Sequence, residues 1–165
     1  MATHRNGYSG LQIGLHWLVL VMVLVQILIA ENMTEMVDAI EEGTAVPPEA
    51  AFWGPVHYWL GISILAIMVV RLIVRLVSGA PAHAGDQSPA LVAIAATLHW
   101  TFYVVLIAVP ISGLVAYYGL ADVGDIHGLA RPVLLTLIVL HALAALYNQF
   151  VRKDGTLTRM LRPQA

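Results

Sequence analysis

Four apolar stretches, at about 11–30, 52–77, 90–118 and 130–151, alternate with short polar segments along the chain. Each reaches the roughly 20 residues a helix needs to cross the hydrocarbon core of a bilayer. Short connections make successive spans antiparallel, so the pattern predicts an all-α, integral membrane, antiparallel four-helix bundle, built as a single domain over residues 1–165. The first stretch is too long for a signal-peptide core, and Leu28-Ile29-Ala30 lacks the small-x-small cleavage pattern, so it is expected as a mature helix.

The polar segments carry local signals of their own. Asn32 with Glu35 reads as a capping-box variant, Met33, Met36, Val37 and Ile40 form an apolar stripe, and Gly43 is a stop. Together they predict a short amphipathic helix on the membrane surface. Pro47-Pro48 turns the chain into the second span, and Ser88-Pro89 opens the third with a cap and a first-turn proline. Pro110 predicts a kink inside that span, Asp125 is expected to cap the fourth, and Gly155 to end it.

Composition strengthens the membrane reading: 59% of the residues are apolar and only 11% charged, with a mean hydropathy of +0.81. Cysteine is absent, which excludes thiolate-held iron–sulfur clusters, covalent CxxCH haem and disulfides. With a net charge of −2, no nucleic-acid partner is expected. Charge distribution sets the orientation. Arg5, Arg71, Arg75, Arg152, Lys153, Arg159 and Arg162 fall at one set of span ends, and only Arg131 at the other. Basic residues are retained on the cytoplasmic side, so both termini are expected in the cytoplasm. Glu31, Glu35, Asp38, Glu41, Glu42, Glu49, Asp122 and Asp125 then make the outer face acidic.

The candidate chemistry lies in histidines within the spans, where ionisable groups are rare and functional. His127 and His141 are fourteen positions apart on the last span. On a continuous helix they lie about 40° apart in rotation and about 21 Å apart in depth. His16 and His141 each lie eleven residues inside a basic anchor, Arg5 and Arg152, and are level on the cytoplasmic side. His57 and His127 are level at the outer side. Facing helices of a bundle ligate cofactors this way, so His16 with His141 and His57 with His127 are the candidate axial ligands of two non-covalent, bis-histidine haem b groups.

Arg71 and Arg75 project on roughly the face of His57 but at the cytoplasmic level, placed to bind haem propionates. Gly61, Gly113, Ala142, Ala144 and Ala145 are small where a macrocycle needs room, although small residues also serve ordinary interhelical packing. His99 lies near the depth of His16 and His141 and is left without an axial position. It is a candidate to hydrogen-bond a quinone carbonyl or a propionate, or to satisfy a neighbouring helix. His4 and His83 are expected to be solvated. Trp17, Trp53, Trp59, Trp100, Tyr117 and Tyr118 are expected as interfacial anchors.

The segments LQIGLHWLV, HYWLGISILAIMVVRLIVRL, IAVPISGLV and LHALAALYNQFVRKDGTLTRML closely resemble the bacterial cytochrome b561 family, over essentially the whole chain. That group is related to the cytochrome b subunits of nickel hydrogenases and formate dehydrogenases, and its stand-alone members resemble superoxide oxidase. The resemblance implies His16, His57, His127 and His141 as haem ligands. It also implies electron transfer from periplasmic superoxide through two b haems to ubiquinone, with membrane lipid around the bundle.

Arg131, the basic residue expected outside, is the candidate for drawing superoxide inward or for binding an outer propionate. The acidic outer face argues in another direction: it suits docking of a basic redox protein, making the chain a carrier between quinol and cytochrome c. A haem-bearing membrane anchor of a dehydrogenase or hydrogenase is a further alternative. Zinc or proton transport is another that intramembrane histidines permit.

Overall fold

The computed structural model describes residues 7–81 and 88–163. Arg5, His4 and His83 lie outside the described residues, and so do the expectations placed on them. Among the described residues there are seven helices: α1 (Gly10–Leu28), α2 (Ala30–Glu41), α3 (Pro48–Ser78), α4 (Pro89–Tyr117), α5 (Gly124–Gly128), α6 (Ala130–Phe150) and α7 (Thr156–Arg159). Four units are long and apolar enough to span a membrane, namely α1, α3, α4 and the run Gly124–Phe150 formed by α5 and α6. No strand occurs among the described residues.

Local chemistry explains the helix ends. α1 starts at a reciprocal capping box: Gln12 N–H donates to Ser9 Oγ at 3.3 Å and Ser9 N–H donates to Gln12 Oε1 at 3.0 Å. α2 begins at Ala30, directly after α1, so Asn32 lies inside the helix and no side chain caps it. Its far end is the expected Gly43, at φ +68, in a complete Schellman closure. Gly43 N–H donates to Ile40 O at 3.3 Å and Thr44 N–H to Ala39 O at 2.9 Å. Gly119 closes α4 in the same way, at φ +62, with bonds from Gly119 N to Ala116 O and Leu120 N to Val115 O. The second span opens at Pro48 rather than near 52. α4 runs through Pro110 as one helix.

The last span differs most from expectation. Asp125 lies within the first turn of α5 and does not cap it; Val123 holds the N-cap position. The helix is interrupted at Leu129 because Pro132 has no N–H to offer the carbonyl of Gly128 four residues before it. The interruption hardly changes direction. Leu129 stays right-handed at φ −63, ψ −15, and bonds from Leu129 N to Asp125 O and from Val133 N to Leu129 O continue on either side. Gly155, at φ +76, is the N-cap of α7 and not the end of α6, whose C-cap is Val151.

α2 packs on the start of α3. Met36 fills the notch left by Gly54, where an added Cβ would lie 2.6 Å from Met36 Sδ. The core of the bundle joins Val19 and Val23 of α1, Ile64 and Met68 of α3, Leu106 of α4 and Leu134 of α6. In lipid such a cluster is held by close dispersion contact rather than by exclusion of water. On each helix these core residues fall between a polar residue near one end and another near the opposite end. The core is therefore an apolar layer with a polar level on each side.

Candidate functional site

At the end of the bundle where α1 begins and α6 ends, here the terminal end, His16 of α1 and His141 of α6 face each other with ring centres 6.2 Å apart. His99 of α4 adds a third ring, 5.3 Å from His141 and nearly perpendicular to it, and Phe102 lies 5.5 Å from His141. The Nδ1 of His99 donates to the carbonyl of Ala95 at 2.7 Å, since a carbonyl only accepts. Arg71, carried to this level by the length of α3, donates to Leu15 O at 3.4 Å and reaches His16 Nδ1 at 3.5 Å. The latter is at the long limit of a hydrogen bond. Arg75 lies one turn further on, half-buried. Trp17 donates its indole N–H to Met160 O at 2.8 Å, tying the segment after α7 across α1. Gln149 steadies that segment by accepting from the N–H groups of Leu157 and Thr158 at 3.0 and 3.3 Å.

At the opposite end, where the α1–α2 and α4–α5 connections lie, His57 of α3 and His127 of α5 also have ring centres 6.2 Å apart. His127 is fixed by α4. Its Nδ1–H donates to Val109 O at 3.0 Å and lies 3.2 Å from Ser112 Oγ, while the Ser112 hydroxyl itself donates to Val109 O at 2.8 Å. This leaves His127 Nε2 as the nitrogen with a lone pair free to ligate. Gly113 lets the ring in: a Cβ there would lie 2.8 Å from His127 Cε1. The space at Gly113 thus belongs to the His127 ring, and the space at Gly61 to Gln26, whose Nε2 lies 3.2 Å from where a Cβ of Gly61 would be. Gln26 Nε2 donates to His57 O at 2.9 Å. His57 Nδ1 and Gln26 Oε1 are buried without a hydrogen-bond partner.

Both pairs fit a metal between them. Two bonds of about 2 Å, plus roughly 1 Å from each nitrogen to its ring centre, span about 6 Å, the separation seen at both ends. Among the described residues no group of three or more His, Cys, Asp or Glu is arranged to hold a metal ion. Each imidazole pair offers two opposed donors, so the other donors have to arrive with the metal, as a porphyrin supplies them. The buried His57 Nδ1 without a partner, and the Gly113 notch that seats the His127 ring, are consistent with two imidazoles set to hold such a group at the second site.

Several contributors escape sequence reasoning. Gln26 has a signal, being a lone amide in an otherwise apolar stretch of α1, and such residues in a span mark polar contacts between helices. Ser112 and the carbonyl of Val109 have none, because their role depends on which helix packs beside α4. Arg131 sits at the rim of the second site and pairs with Glu31 at 3.3 Å, with side chains 52% and 68% exposed.

Residues 7–163 match the family model described as prokaryotic cytochrome b561. The chain is 34% identical to cytochrome b562 of Cereibacter sphaeroides, across 98% of this chain and 99% of that protein. It is 34% identical to the probable superoxide oxidase CybB of Yersinia pestis, across 93% and 95% respectively. Cytochrome b561 homolog 1 of Escherichia coli K12 is 26% identical across 94% of this chain and 97% of its own. Four apolar spans, polar levels at both ends of the core and these matches lead to one conclusion: the chain belongs to the prokaryotic cytochrome b561 family, membrane-integral proteins of haem b and transmembrane electron transfer.

Proposed function

We propose that this chain oxidises superoxide at the His57–His127 end and reduces ubiquinone at the His16–His141 end, with one haem b held by each pair. The observation that carries the reading is the equal 6.2 Å separation of two histidine pairs on either side of the apolar core. When bound, haem b supplies a one-electron redox centre, its potential set by the two histidines and by burial. Two superoxide ions give up one electron each and leave as two O₂; one quinone takes both electrons and two protons to become quinol.

The residues at each end suit these halves. The His57–His127 end needs no proton transfer, and His127 is held rigidly by Val109 and Ser112. Arg131 at its rim gives an approaching anion a positive group. At the His16–His141 end, Arg71, which also bonds to Leu15 O and to Tyr103, is a charged donor for an acidic group such as a propionate, with Arg75 one turn away. His99 beside His141 is the candidate for the quinone carbonyl. In the bacterial inner membrane this end faces the cytoplasm, because Arg71, Arg75, Arg152, Lys153, Arg159 and Arg162 gather there.

The test is anaerobic stopped-flow spectroscopy of the purified protein, mixed first with superoxide and then with ubiquinone, alongside a haem-to-protein ratio. Two b haems per chain that reduce and then reoxidise are expected. Two haems inert to superoxide would move the function to another donor. The acidic α2, with Glu31, Glu35, Asp38 and Glu41, favours a basic periplasmic redox protein as that donor. Salt discriminates: screening slows the attraction of a basic protein to this face, whereas it relieves repulsion of an anion.

A further inference from the structure

Two polar atoms remain buried and unpartnered at the loop end, the Nδ1 of His57 and the Oε1 of Gln26. They are chemically complementary. An amide oxygen only accepts, and an imidazole that ligates through Nε2 carries its proton on Nδ1 and has to donate it. The amide orientation is fixed by its other end, since Nε2 donates to the carbonyl of His57 at 2.9 Å, and a flipped amide would set two oxygens against each other. Gly61 admits the amide to this position; a side chain there would crowd Gln26 Nε2 at 3.2 Å. Across the site, His127 already has the equivalent support from Val109 O at 3.0 Å.

We propose that Gln26 is the positioning residue of His57, its Oε1 accepting the His57 Nδ1–H directly or through one water and so fixing which nitrogen faces His127. The inference rests on the reading that His57 and His127 are ligands. With Gln26 in place both imidazoles have the same polarity: Nδ1–H is held by an acceptor and Nε2 is turned to the shared gap. An acceptor behind a ligating imidazole makes it more basic and favours the oxidised metal. Gln26 therefore lowers the potential of the loop-end centre alone.

The experiment uses the full-length, haem-loaded protein with Gln26→Met, which fills the space without an acceptor, and Gln26→Glu, which restores one. Haem-to-protein ratio, potentiometric titration of both haems and the low-spin ferric EPR spectrum are measured. Gln26→Met is expected to keep two haems, shift one midpoint positive and leave the other unchanged; Gln26→Glu is expected to bring that midpoint back to or below the wild-type value. Unchanged midpoints in Gln26→Met, or equal shifts in both variants, would overturn the proposal and reduce Gln26 to its bond with the His57 carbonyl. If Gln26→Met loses a haem, the glutamate variant decides: retention with a wild-type midpoint supports the acceptor role, and loss overturns it. His57→Ala tests the underlying reading separately, because retention of both haems there would remove His57 as a ligand whatever Gln26 does.

Discussion

The two histidine pairs have the same separation and different surroundings. At the terminal end a third imidazole, Arg71 and Arg75 gather around His16 and His141. At the loop end His57 and His127 meet backbone carbonyls, a serine, an amide and a glycine notch. Cations stabilise developing negative charge and make charge-assisted bonds with acidic groups. Neutral dipoles orient a ring without adding net charge. The difference separates the two halves of the proposed reaction: the terminal end is furnished for a substrate that gains charge and protons, and the loop end for bare electron exchange.

Substitutions can break this comparison at either end. The largest effect is expected from ligand removal. His127→Ala should lose the loop-end haem and His141→Ala the terminal one, each halving the haem-to-protein ratio and abolishing superoxide-driven quinone reduction. An unchanged ratio in either variant would remove that histidine as a ligand.

Gly113→Ala comes next. Its new methyl would press on His127 Cε1 at 2.8 Å, and overpacking of this kind costs about 1–3 kcal/mol. Thermal melting should fall, and the loop-end haem should be lost or spectrally altered while the terminal one is retained. Equal perturbation of both haems would show that the notch does not serve one site. Arg71→Leu is expected to weaken retention of the terminal haem and lower the haem-to-protein ratio; an unchanged ratio with slower quinone reduction would place the arginine at the quinone instead.

The smallest effect is expected at Arg131. Its pair with Glu31 is more than half exposed, and exposed ion pairs contribute about 0–1 kcal/mol. Arg131→Ala should leave melting and haem content near wild type and slow reduction by superoxide at low salt. An unchanged low-salt rate would remove its steering role.

The histidine levels are legible in sequence because depth along antiparallel helices is arithmetic: a fixed rise per residue and a fixed hand carry His16 to His141 and His57 to His127 without knowledge of the packing. Lateral relations are not arithmetic. Gly113 suggests room for a cofactor through its spacing from His99 on its own helix, yet the ring it admits is His127, from another. Ser112 and Val109 matter only because α5 lies beside them. The ends of the last span fail for a local reason: the helix already includes Asp125 in its first turn, with Val123 at the N-cap position, and it ends at Phe150, short of Gly155, which caps α7 instead.

The six-residue apolar layer also acts as insulation. Val19, Val23, Ile64, Met68, Leu106 and Leu134 form an apolar layer between the two levels. An electron crossing this layer thus moves uncompensated charge, which ties the reaction to the voltage across the membrane. Each full crossing toward a negatively charged side does work of about 2.3 kcal/mol per 100 mV. The same six side chains that hold the bundle together therefore make the proposed turnover electrogenic: electrons travelling from the loop end to the terminal end work against a potential that is negative at the terminal side, and add to it.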